Sequence, residues 1–240
     1  MNLAESADRV EKGAPRNKQE AAYDLIRARI ESGQYAPGHR LIIDQLAADL
    51  GISQVPIREA IRRLEAEFLI IYAANTGPAV APFNPERWAQ LFESVAVLEG
   101  YATALAAPFI VAADLLRLKQ CNQAIRRALP ALNLTEISRS NRQFHAIMLS
   151  RCPNKVVLEQ LAHSQVRLDS LSRVMFARDH AVLMELLGPK AGLLTVANHD
   201  KLIAAVRTRR SPAVIEQITR DHVLVHLRAA CDLLDKRSER

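Results

Sequence analysis

Apolar side chains recur every three or four positions along most of this chain, and the places where that rhythm fails mark its elements. Residues 1–16 show no rhythm, are mostly polar and carry Gly13 and Pro15, so a flexible arm is expected. Over 18–32, Ala22, Leu25, Ile26 and Ile30 fall at helical spacing, and SGQYAPGHRL stops the run with Gly33, Pro37 and Gly38. A short helix is predicted over 44–50, with Leu46, Ala47 and Leu50 on one side and Gly51 at its end. ISQVPIREAIRRLEAEF follows as a third helix; Ser53 is a candidate cap, and Pro56 falls in the first turn, where a missing N–H costs little. The period then shortens in LIIYAANTGPAVAPF, whose two β-prone runs around Asn-Thr-Gly predict a small hairpin.

Pro85 opens a second region. From 86 to 236 the pattern is helical throughout, with breaks near 108–112, 130–133, 152–154, 188–192 and 211–212, which predicts five or six helices in an antiparallel bundle. The fold class is therefore mainly α, with a three-helix module and hairpin over 17–83 and an all-α bundle over 84–236. Composition agrees: 49% hydrophobic residues suffice for cores, while only 5% aromatics and 8 glycines disfavour a sheet-rich fold.

Charge and cysteine content narrow the partners less than they first promise. A net charge of +6 suits a polyanion, yet basic and acidic side chains nearly cancel over 1–85, and the excess lies further on, in Lys236, Arg237 and Arg240 among others. Local placement of arginines has to carry any nucleic-acid reading. Cys121, Cys152 and Cys231 are scattered, odd in number and without CxxC spacing, so reduced, mostly buried thiols are expected in place of a disulfide framework or cysteine zinc site. No apolar run is long enough to span a bilayer, and MNLAESADRVEKGAPRNKQE lacks the apolar core of a signal peptide, so a cytoplasmic protein is expected.

In the third helix Ile57, Ala60, Ile61 and Leu64 fall at i, i+3, i+4 and i+7, a core-facing stripe. The other face carries Gln54, Arg58 and Arg62 at four-residue steps, so their long polar side chains project in one line. Arginine can pair with guanine O6/N7 or grip phosphate, and glutamine can read adenine N6/N7. Arg63, off that line, and Arg40, in the preceding turn, are placed for contacts to the DNA backbone, and residues 51–53 are the turn of a helix-turn-helix. By itself an amphipathic helix with arginines outward is as well read as a solvated helix. The string PGHRLIIDQLAADLGISQVPIREAIRRLEAEFLI shifts that balance, because it resembles the winged-helix domain of GntR-family regulators, particularly the FadR-like branch. The resemblance covers about 18–82 and takes in turn, helices and wing in order. It implies that Ser53, Gln54 and Arg58 contact the operator and that Gly77 lies in the wing that reaches the neighbouring minor groove. Several residues depart from the family pattern. Gln54 and Val55 replace a usual Arg-Thr, Phe68 a usual glycine, Thr76 a common basic residue, and Ile42 and Ile43 the polar residues that cap the second helix. Fewer phosphate and guanine contacts, and an atypical operator or weaker binding, are the expected result.

Of the histidines in the bundle, Asn141 and His145 in NRQFH stand one turn apart, as do His222 and His226 in DHVLVH, and His199 stands alone in NHDKLI. A lone helical histidine is more often a hydrogen-bonded core or surface residue, whereas imidazoles with one oxygen ligand suit zinc, nickel or a similar ion. Residues 86–235 resemble the FCD ligand-binding domain that follows the winged helix in FadR-like regulators. That resemblance implies a divalent-metal pocket formed by Asn141, His145, His199 and His222, with His226 structural or exposed. Asn141 stands in place of the commoner aspartate and removes one negative charge, which weakens metal retention. Val95 falls where an arginine is expected just before Leu98 and Glu99, so the small-molecule effector, an organic acid by class, should be less anionic than the family's usual one. Arg167 and Arg173 are alternative anchors for it.

The function expected is a regulator, by class a repressor, that binds a double-stranded DNA operator with an inverted repeat as a homodimer, because one recognition helix reads only a few base pairs. A metal-dependent hydrolase using the histidines is the first alternative; no HExxH, GxSxG or phosphate-binding glycine loop supports it, and no enzyme is expected. A winged helix used only for protein interaction is the second.

Overall fold

The computed structural model describes residues 17–73, 77–178 and 180–238, so the expected arm over 1–16 lies outside the described residues. Contacts divide the chain into two compact units, Met1–Pro82 and Phe83–Arg240. Among the described residues the structure is mainly helical with one two-stranded antiparallel sheet, the fold class read from the sequence.

The first unit runs α1 (Lys18–Glu31), α2 (Ile43–Leu50), α3 (Gln54–Ala66), β1 (Ile70–Ala73) and β2 (Gly77–Val80). Asn17 caps α1, its side chain accepting from the Gln19 amide at 3.2 Å. α2 begins on Ile43 without a side-chain cap, one residue before the expected start, and Gly51 closes it in the left-handed region at φ +62°. The stripe Ile57, Ala60, Ile61 and Leu64 is wholly buried, as are Ile26, Ile30 and Leu46 on the helices α1 and α2 against which α3 packs. Each large apolar side chain buried there contributes roughly 1.5–3 kcal/mol relative to exposure.

β1 and β2 pair antiparallel from Ile70 opposite Val80 to Ala73 opposite Gly77. The Gly38–Leu41 stretch, read from the sequence as turn only, lies along β2: the Gly38 amide donates to the Val80 carbonyl, the Val80 amide to His39, and the Leu41 amide to Pro78, each at 2.9 Å. Gly38 and the preceding Pro37 mask a stretch whose backbone groups the wing satisfies.

A buried polar knot ties α3 to α1. Glu67, 5% exposed, has both carboxylate oxygens 2.8 Å from the Tyr23 hydroxyl, which in turn accepts from Arg27 at 2.6 Å. Arg63 lies over the Tyr23 ring at 3.8 Å, with its Nε 3.5 Å from Glu67. Burial, then the bond to Glu67, pushes the Tyr23 hydroxyl above its ordinary pKa.

The second unit comprises α4 (Pro85–Ala106), a 3-10 turn (Ala107–Phe109), α5 (Ala112–Ala128), α6 (Leu134–Leu149), α7 (Lys155–Arg178), α8 (His180–Leu187), α9 (Pro189–Arg207) and α10 (Pro212–Ser238). α4 packs on α10 and α7, and α5 on α6 and α9. Leu118, Phe144, Met148, Leu202, Val206 and Ile215 form a core shared by α5, α6, α9 and α10. Helix starts follow side-chain caps: Asn84 accepts from the Arg87 amide at 2.9 Å and Asn133 from the Glu136 amide at 3.0 Å.

Two sequence readings change here. The run from Lys155 onward divides into α7 and α8, with residue 179 between them outside the described residues; no glycine or proline announces the change. Among the described residues this unit holds more helices than the five or six expected. The break expected over 188–192 is sharper than read: α9 starts at Pro189, and Gly192 lies inside it, where a Cβ would collide with Leu129. That glycine permits close packing and does not end a helix.

Cys121 and Cys152 are buried and Cys231 is partly buried, all free thiols. Among the described residues no helix is long and apolar enough to cross a membrane.

Candidate nucleic-acid interface and histidine cluster

With one face of α3 sunk in the core, its opposite face is fixed outward. Gln54, Arg58 and Arg62 are all exposed on it. Arg58 donates to the Gln54 carbonyl at 3.1 Å, Gln54 donates to Asp44 on α2, and Arg62 pairs with Glu59 at 2.8 Å. Exposed pairs of this kind are worth about 0.2–1 kcal/mol, little enough for the side chains to rearrange toward a stronger anion. Arg40 is exposed and bridges to Ala79 of β2, and Gly77 opens β2 at φ +78°. Thr76 lies outside the described residues.

Ser53 occupies the N-cap position of α3 but makes no capping hydrogen bond, contrary to the sequence reading; its side chain is exposed. Arg63, expected to reach the DNA backbone, lies over the Tyr23 ring and 3.5 Å from Glu67, with its side chain 49% exposed.

In the helical unit, His145 on α6, His199 on α9 and His222 on α10 converge, one ring nitrogen of each lying within 4.8 Å of the others. His145 and His222 bring their Nε2 atoms to 3.3 Å. Two further side chains, from different helices, orient these rings. His145 Nδ1 lies against the Glu99 carboxylate of α4, and His199 Nδ1 is 2.8 Å from Asn122 Oδ1 of α5. His199 is fully buried, its ring stacked on Phe144 at 3.6 Å with an interplanar angle of 3°. Burial by itself would lower the pKa of His145, but the charge and hydrogen bond of Glu99 outweigh it, and the pKa is raised.

The donor set fits a divalent ion. Tetrahedral Zn–N bonds of about 2.0–2.1 Å place neighbouring nitrogens roughly 3.3–3.4 Å apart, close to the His145–His222 separation. Asn141, one turn before His145, has a buried Oδ1 with no hydrogen-bond partner, an acceptor that a cation would satisfy. Glu99, 4% exposed, sets a carboxylate beside this cluster.

Of the remaining candidates, Arg167 is partly buried and Arg173 exposed on α7, and the side chain of His226 lies outside the described residues. Val95 is buried one turn before Glu99. The sequence reading passed over Glu99 and Asn122 as site residues. Glu99 had a signal, an acid set in the apolar run SVAVLEGYATALA; Asn122, in KQCNQAI, had none.

Residues 18–80 match the family described as bacterial regulatory proteins, gntR family, and residues 90–225 match the FCD domain. The chain belongs to the GntR family. It is 24% identical over 213 residues to the uncharacterized HTH-type transcriptional regulator YdhC of Bacillus subtilis, covering 88% of each chain. It is likewise 24% identical over 212 residues to the HTH-type transcriptional repressor GlaR of Escherichia coli, covering 84% of this chain and 90% of GlaR. The solved structure of Lar, which controls the Listeria monocytogenes agr system, shares the fold at TM-score 0.62 and 18% identity, over 92% of this chain and 100% of that one. As a family member this protein is a DNA-binding transcription regulator.

Proposed function

We propose that the protein is an effector-responsive repressor that binds an inverted-repeat operator as a homodimer, and that its FCD domain holds a divalent metal, zinc or nickel. The observation that carries the DNA reading is the exposed Gln54–Arg58–Arg62 line on a helix whose other face is core. Gln54 and Arg58 read base edges, Arg40, Ser53 and Arg62 hold phosphates, and the wing opened by Gly77 enters the neighbouring minor groove. Residues 17–83 serve as the DNA-binding domain and 84–236 as the effector and dimerisation domain. Two copies related by a two-fold axis supply two recognition helices, which an inverted repeat matches. A regulator that binds genomic DNA acts in the cytoplasm, where that DNA lies.

His145, His199 and His222, with the Asn141 carbonyl, hold the metal, which when bound acts as a Lewis acid toward an oxygen ligand. Val95, buried one turn before Glu99, offers no guanidinium at that position, which favours an effector of low negative charge. Such a ligand releases DNA by binding the DNA-incompetent arrangement more tightly, and the shift is limited by that differential affinity. The histidines serve sensing, not turnover.

Capture of genomic fragments by the purified full-length protein tests the reading. Recovery of fragments sharing a short inverted repeat is expected; fragments with no common sequence would contradict it.

A further inference from the structure

The orientation of a metal-binding imidazole is set by whatever holds its second nitrogen, and here that group can be traced to a chain of side chains running from α5 to α9. Asn122 is 3% exposed. Its amide nitrogen donates to the Val196 carbonyl at 3.1 Å and to Asp200 Oδ1 at 2.8 Å, and Arg126 donates to the other Asp200 oxygen at 2.7 Å. Both neighbours of the amide nitrogen are pure acceptors, so turning the amide over would set oxygen against oxygen twice. Oδ1 of Asn122 must then face His199, and His199 Nδ1 must carry the proton. The Phe144 face fixes the plane of the His199 ring, and Asn122 fixes its rotation within that plane. The result is a single permitted direction for the Nε2 lone pair.

We propose that Asn122, which supplies no ligand, is the positioning residue for His199, with Asp200 and Arg126 orienting Asn122 in turn. The inference rests on the metal reading above. It makes retention of the ion depend on a buried amide and on an exposed Arg126–Asp200 pair at the surface of the bundle.

Two measurements test it. In metal-free full-length protein, nitrogen-15 chemical shifts of the histidine rings report tautomers directly; His199 protonated on Nδ1 is expected, and protonation on Nε2 overturns the proposal. In the second, zinc affinity is measured by competition with a chromophoric chelator for the unaltered protein, Asn122→Ala, and the exchange Asn122→Asp with Asp200→Asn. The exchange keeps an acceptor against His199 and a donor between positions 122 and 200, but loses the bond to the Val196 carbonyl. Asn122→Ala is expected to bind zinc 10–100-fold more weakly, as loss of such an outer partner does, and the exchange to bind measurably tighter than Asn122→Ala without full recovery. Thermal melting of each metal-free variant checks that it is folded. Unchanged affinity in Asn122→Ala, or equal weakness in that variant and the exchange, overturns the proposal. No zinc bound by the unaltered protein overturns the metal reading itself, and the tautomer measurement then still decides the orientation of His199.

Discussion

Phe68 stands where the family pattern has glycine, and its φ of +64° gives the reason for that glycine: the chain leaves α3 through the left-handed region, which costs a side-chain-bearing residue about 1–2 kcal/mol. The departure was legible in the sequence, whereas the strain it implies needed the backbone. Glu67, the residue just before it, was not legible at all, because a glutamate near a helix end reads as solvent-facing. Its burial against Tyr23, Arg27 and Arg63 makes it a strong structural test. Glu67→Ala takes the acceptor from the buried Tyr23 hydroxyl, while Arg27 keeps Glu31 and Arg63 stays half exposed, and should lower the unfolding free energy by about 1–3 kcal/mol, measured by urea denaturation at neutral pH. A loss below about 1 kcal/mol would mean that the knot does not hold α3.

At the scale of elements, helices with a clean apolar stripe were read almost to the residue: α3 is the best case, since its stripe and its polar line are both regular over the whole helix. Elements held by distant backbone partners were not, as the stretch beside β2 and the division of α7 from α8 show. The start of α5 is tied to the end of α6 in a similarly non-local way. The Arg151 guanidinium donates to Asp114 at 2.9 Å, and the Val111 amide donates to the same carboxylate. The Arg151 bond, opposed by burial and helped by the Val111 amide, holds the Asp114 carboxyl below its ordinary value. A carboxylate depressed in the folded state stabilises it fully above the unfolded pKa and ceases to do so as pH falls through the folded one. Arg151→Ala should therefore melt lower than the unaltered protein by a constant margin above about pH 5, a margin that shrinks as Asp114 protonates in acid. Melting temperatures over that pH range give the answer; a margin independent of pH would show that Arg151 acts through something other than Asp114.

For the whole molecule, three helices must come together before the histidines mean anything. Positions 145, 199 and 222 were named from family resemblance, because spacing in a sequence cannot bring α6, α9 and α10 to one point. Glu99 and Asn122 escaped for the same reason: each acts across a helix boundary. Zinc added to the metal-free protein should raise the melting temperature, since an ion that binds only the folded state at 100 times its Kd adds about 2.7 kcal/mol. The double variant His145→Ala, His199→Ala should show no such rise; an equal rise in both would remove the cluster from the account.

The central claim is that the outward line of α3 reads DNA. Its most direct test is the affinity of the full-length protein and of Arg58→Ala for one captured genomic fragment, at the same salt concentration. Arg58 is exposed, so its loss should leave the fold intact. The account predicts weaker binding by about 1–3 kcal/mol, or roughly 5–150-fold. Equal affinity of the two proteins would contradict it.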